Sequence, residues 1–223
     1  HTTGDTLVKF NSGIDSVGDM LQVLPSISQS LLDNGRVGDQ IRAQSLNVKG
    51  FVKLDINNAV ANTTMPTVAV RLMVISFKNR SSYSDATTQT SWLGSLLKKG
   101  GTTTGFTGAL RDLYSPINTD VFTKHYERVI YLSQDAIISP NGAASPGISA
   151  IASDVRKTIK FFNINIKCKN KLLKYDAYTT PLVPTNWAPF MVLGYCYLDG
   201  STVDVVNTKV GLQYDSVFNY EDA

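Results

Sequence analysis

Apolar and polar residues alternate most regularly over residues 34–56, NGRVGDQIRAQSLNVKGFVKLDI. Leu46, Val48, Val52, Leu54 and Ile56 share one parity with Gly50 in step, while Ser45, Asn47, Lys49, Lys53 and Asp55 share the other. A period of two residues is that of a strand with one buried face. Two positions break the pattern. Gly50 interrupts the apolar side, which marks a close backbone approach or a bulge, and Phe51 falls on the polar side.

Strand patterns recur along most of the remaining chain. TLVKF (6–10) is a short first candidate, and TVAVRLMVISFK (67–78) is apolar on both faces, as a central strand must be. GALRDLYSPI (108–117), VFTKHYERVIYLS (121–133), VRKTIKFFNINIKCK (155–169), KLLKYDAY (171–178), APFMVLGYCYL (188–198) and VNTKVGLQYDSVFNY (206–220) complete the series. One helix is expected, SWLGSLLKKGG from Ser91, with Trp92, Leu93, Leu96 and Leu97 on one face. Ser91 would cap its start, Lys98 and Lys99 suit its negative end, and Gly100 stops it. A Gly/Pro/Ser/Ala-rich loop spans 135–153, and no repeat or domain-separating linker occurs. The chain therefore reads as one all-β domain over 1–223, a sandwich or barrel of eight or nine strands.

Composition supports strands over helices. Charged residues make up 17% of the 223, against 43% hydrophobic, and the net charge is only +3. The distribution says more than the total. Seven basic residues and no acid lie between Arg156 and Lys174, whereas five acids and one lysine follow from Asp199 onward. In FNINIKCKNK, Phe162, Ile164, Ile166 and Cys168 take one face, and Asn163, Asn165, Lys167, Lys169 and Lys171 take the other. Lysines at a two-residue pitch, about 7 Å apart, suit a row of phosphates bound by charge without sequence readout. The same pattern also describes a solvated strand face or an edge guarded by lysine. Arg156, Lys157, Lys160 and Lys174 extend the basic region.

Catalytic sets are thin. His125 shares strand parity with Glu127, which reads as a base and its orienter or as an ordinary strand-face pair. No GxSxG occurs, and GSLLKKGGTTTG lacks phosphate-loop spacing. Cys168 and Cys196 sit in apolar runs and are expected to be buried free thiols. No metal-ligand spacing is present, and Asp15, Asp19, Asp33 and Asp39 read as turn residues. The sequons NTT (62–64) and NRS (79–81) matter only to a secreted chain. The longest apolar run falls short of a membrane span. No enzyme activity, cofactor or metal is expected. His1 in place of a methionine leads to the expectation of further chain upstream.

Several of these stretches, in this order, resemble the capsid proteins of small viruses with circular single-stranded DNA genomes that encode a replication initiator, some with RNA-virus-like capsids. LPSISQSLLDNGRVGDQIRAQSLNVKGFVKLDI is similar to the family's polar entry and first long strand, and YSPINTDVFTKHYERVIYL to its lead into a central strand. KFFNINIKCKNKLLKY resembles its lysine-rich strand, and PTNWAPFMVLGYCYLDG and DSVFNYED its last two. The resemblance implies a single eight-stranded jelly roll with 34–56 as strand B, 67–78 as C, 108–117 as D, 121–133 as E, the lysine strand as F and 171–178 as G. The last two strands would be H and I, and a short helix would lie in the C–D loop. Loops 57–66, 118–121 and 199–206 would gather at one end, and 79–106, 134–153 and 179–187 at the other, with Trp92, Trp187 and the outward Phe51 meeting neighbouring subunits.

The implied protein is a virion component that assembles in the host nucleus or cytoplasm as a homo-oligomeric icosahedral shell, with no membrane partner. It would enclose a genome, expected to be single-stranded DNA, through Arg156, Lys157, Lys160, Lys167, Lys169, Lys171 and Lys174 and through a basic arm upstream of residue 1. The alternative is a carbohydrate- or receptor-binding β-sandwich module of lectin or adhesin type. That class calls for a secretion signal, small oligomers and aromatic residues clustered on a concave face; Trp92 and Trp187 lie far apart in sequence.

Overall fold

The computed structural model describes residues 7–14, 19–30, 35–54, 67–78, 90–133, 155–176, 183–200 and 210–223. Its strands are β1 (Val8–Phe10), β2 (Leu21–Gln22), β3 (Gln40–Leu54), β4 (Thr67–Phe77), β5 (Leu97–Lys99), β6 (Thr102–Thr104), β7 (Phe122–Ser133), β8 (Ile159–Lys174), β9 (Phe190–Tyr197) and β10 (Val210–Asp222). Two four-stranded antiparallel sheets form a sandwich, one in the order β1-β10-β3-β8 and the other β2-β9-β4-β7, and β5 and β6 make a separate hairpin.

The alternation in β3 is the inward face of the first sheet. Leu46, Val48, Val52 and Leu54 are buried between the sheets with Leu72, Val74 and Leu193 from the second; Ile56 lies outside the described residues. Burying each such side chain contributes roughly 1.5–3 kcal/mol before the cost of ordering it. Near its start β3 changes parity, with Ile41 and Ala43 inward below the step and Leu46 above it. Its register slips there against both β8 and β10, so a bulge keeps both segments facing the core. Gly50 lies in continuous register and is not a bulge. A Cβ there would meet the Gln213 carbonyl, with Phe162 Cζ at 2.8 Å and Tyr214 Cα at 2.9 Å.

β4 and β9 are buried on both faces because each side of the second sheet is covered. Met73, Ile75, Phe190 and Val192 point away from the sandwich into a second core, roofed by Trp92, Leu96, Leu97, Phe106 and Phe122. That roof corrects several expectations. The helix expected from Ser91 is a 3-10 segment, Thr90–Ser95, followed by β5. Nine residues hold a helix poorly in water, and here Lys98 and Lys99 pair instead with Thr103 and Thr102 across a Gly100–Gly101 turn, Gly100 at φ +69°. Residues 108–117 are not a strand but a 3-10 turn at Leu110–Leu113 with one bridge from Ile117 to Leu97. Trp92 is 2% exposed and Trp187 5%, so neither is presented to a neighbour. Trp92 packs against Phe77, Phe122 and Phe190.

The pairing is nested. β1 pairs with β10, β2 with β9, β3 with β8 and β4 with β7, while β10–β3 and β9–β4 pairings stitch these into sheets. The register gathers Leu54, Thr67, Ser133, Ile159, Tyr197 and Val210 at one end of the sandwich. The chain therefore leaves the strands toward 134–154 at the same end as toward 55–66 and 201–209, contrary to the grouping expected from the resemblance. Residues 118–121, next to the Phe77–Phe122 pair, fall at the opposite end.

Candidate nucleic-acid interface

β8 is the edge strand of the first sheet, and its alternation holds from Phe161 to Lys167. Phe162, Ile164 and Ile166 are buried, whereas Phe161, Asn163, Asn165 and Lys167 are exposed. The pattern then breaks. Lys169 and Asn170 take left-handed conformations, φ +52° and +59°, and the register jumps from Ser45–Lys167 to Ala43–Lys171. Lys171 consequently lies opposite the buried Ala43, with its ammonium 5.3 Å from the centre of the Trp187 ring. The lysines at 167, 169 and 171 do not form one row, because the bulge turns Lys171 to the other face.

The remaining expected residues are also divided. Lys174 returns to the outward face opposite Gln40, and Lys160 falls on the Phe162 side opposite Val52. Lys157 is exposed on a single helical turn, Val155–Thr158, which also contains Arg156, whose side chain lies outside the described residues.

The neighbouring strand supplies what the isolated lysine stretch does not. On the outward face of β3, Lys49 lies opposite Asn163, Phe51 opposite Phe161, Asn47 opposite Asn165 and Ser45 opposite Lys167. The Phe51 and Phe161 rings meet edge to face with centroids 5.9 Å apart, and Phe161 is 76% exposed. Beyond β10, Lys9 of β1 shares the row of Lys53. Among the described residues, β10 brings acids to this sheet at Asp215, opposite Lys49, at Glu221, opposite Arg42, and at Asp222, opposite Ile41. Each strand's polar parity was visible in the sequence. That β3 and β8 are neighbours, and that their outward residues form one surface, was not.

The other candidate chemistry separates. β7 slips register against β4 between Val74 and Ile75, with His125 as the extra residue. His125 Nε2 meets Ser76 Oγ at 2.9 Å and its ring stands edge-on to Trp187. Burial, and then the Lys171 ammonium, hold the imidazole below its ordinary value. Glu127 instead serves Arg71 and Lys124, so the base-and-orienter reading fails. Both thiols are free. Cys168 is half-buried, and burial raises its pKa; burial first, then Asp112, pushes the buried Cys196 up to about 12. Among the described residues no three His, Cys, Asp or Glu side chains gather in a metal-binding group, and no helix is long and apolar enough to cross a membrane. No protein-family model matches the chain, and no curated protein does.

Proposed function

We propose that this chain is the shell subunit of a small virus, a jelly-roll capsid protein that assembles with copies of itself into an icosahedral particle around a single-stranded genome. The observation that carries the reading is the nested pairing of eight strands, first with last and inward from there, split between two four-stranded sheets. An antiparallel ribbon of eight strands rolled in this way is a jelly roll, with the β5–β6 hairpin as an insertion.

Lettered B to I, the strands are β1, β2, β3, β4, β7, β8, β9 and β10. The sheets then read B-I-D-G and C-H-E-F. Residues 34–56 become D rather than B, because the two short strands β1 and β2 precede them, and the 78–121 insertion joins E to F rather than C to D. Assembly on this reading uses heterologous contacts that close under symmetry, for which exposed Tyr114 and Tyr131 offer apolar surface. The genome is held by charge.

Electron microscopy of the purified protein across a range of salt concentrations tests the proposal. Uniform closed shells are expected. A monomer or dimer under every condition would overturn it in favour of a carbohydrate- or receptor-binding sandwich module.

A further inference from the structure

We infer that the outward face of the first sheet is a stacking platform for single-stranded nucleic acid, with Phe51 and Phe161 receiving bases and Lys49, Lys53 and Lys167 receiving phosphates. The inference rests on the genome-holding part of the proposed function and names the surface that holds the strand and the base stacking by which it does so. Phe161 is a large aromatic side chain left 76% exposed on an extended strand and supported from one side by Phe51. An aromatic face of this kind stacks any base, and so binds without reading sequence.

Lys49 and Lys53 stand two residues to either side of Phe51, about 7 Å away along the strand, so cations flank the rings in the direction a backbone would run. Asn163, Asn165 and Asn47 continue the row with amide donors and acceptors, and Lys167 ends it opposite Ser45. A duplex keeps its bases stacked on one another and offers these rings nothing; an unpaired strand offers every base.

Charge selects the occupant. A second copy docking this face on itself about a two-fold axis would set lysine-rich surface against lysine-rich surface. The nearby acid, Asp215, already lies beside Lys49 in its own sheet. A polyanion meets no such repulsion. Phe51, expected from the resemblance to meet a neighbouring subunit, is therefore assigned to the nucleic acid instead.

The test is fluorescence-anisotropy titration of the full chain with oligothymidylate, oligouridylate and a DNA duplex, over a salt series. Phe161→Ala alters an exposed side chain and should leave the fold, checked by circular dichroism, unchanged. It should weaken binding of both single strands on the order of tenfold, with the salt slope and duplex binding as in the parent protein. Equal weakening for duplex and single strands, or none, would overturn the platform. Shells that fail to close in Phe161→Ala while single-strand affinity is unchanged would also overturn it and make the aromatic pair an interface between copies. The two readings fail separately. A protein that never forms shells but binds single strands through Phe161 keeps the platform and loses the capsid assignment, and shells whose nucleic-acid content ignores Phe161 do the reverse.

Discussion

Arg71 and Glu127 face each other across β4 and β7 above the second sheet, with Arg71 Nε donating to Glu127 Oε1 at 2.9 Å. The guanidinium is almost wholly enclosed and also donates to the Asp112 carbonyl. Lys124 reaches the other Glu127 oxygen at 3.0 Å. Burial would raise the Glu127 pKa, but Lys124 and Arg71 outweigh it and hold it below the usual carboxylate range.

Arg71→Ala leaves Glu127 with Lys124 and a partly exposed carboxylate, so it should lower unfolding stability by about 1–3 kcal/mol, the cost of lost charge-assisted hydrogen bonds. Urea denaturation measures it. The double variant Arg71→Met with Glu127→Gln should cost less than the sum of the single changes; strict additivity would refute the pairing.

His125 makes stability depend on pH. Its folded pKa is depressed, so the folded state prefers the neutral ring and the unfolded chain takes the proton first. Stability is therefore full above the ordinary value of 6.5 and declines as pH falls below it. The limiting slope is about 1.4 kcal/mol per pH unit. Urea midpoints between neutral and mildly acidic pH should show the decline, and His125→Gln should remove most of it. Lys171, also close to the ring, remains charged throughout this range and keeps opposing protonation.

Gly50 is held by space rather than by conformation. Gly50→Ala would push a methyl group into β10 and the Phe162 ring and should cost about 1–3 kcal/mol, while Gly50→Val should prevent soluble folding. Stability curves and the yield of soluble protein report both. A valine variant as stable as the parent would contradict the packing of β3 on β10.

The lysines should sort by face. Lys49→Gln, Lys53→Gln and Lys167→Gln together should reduce single-strand affinity and lower the salt slope by roughly 0.7 for each phosphate no longer neutralised. Lys171→Gln should instead act through the Trp187 ring beside it, reducing stability with a smaller effect on binding. A Lys171 effect on the salt slope equal to that of Lys167 would show that the β8 bulge does not divide them.

The sequence revealed strands well where one periodicity ran unbroken. Leu46 to Leu54, Phe161 to Lys167 and the doubly apolar β4 and β9 all have the faces their patterns imply. It misled where tertiary pairing overrode local preference. Leu97 to Lys99 continue a helical stripe, yet they pair with Thr102 to Thr104, and two left-handed residues, Lys169 and Asn170, turned Lys171 away without any change in the apolar pattern before them. The pattern placed Trp92 on the apolar face of a helix and Trp187 in a loop-like stretch, and the resemblance set both against neighbouring subunits, whereas both are buried in their own chain. Nothing local disclosed the second core above β4 or the packing of Trp187 on His125. The candidate site was half legible: its lysine strand could be read, but its partner residues on β3 required the sheet order.

The nesting of first strand with last has a kinetic consequence. Val8 pairs with Leu212, and β10 is the strand that joins β1 to β3. During synthesis, β3 can meet β8 and β4 can meet β7 while the chain is still emerging, but β1 has no place in the sheet until the residues of β10 have appeared. Pairings of such long sequence separation make for slow closure. The sandwich is thus a clasp that fastens last, and newly made chains should pass through an open, association-prone form before both sheets are complete.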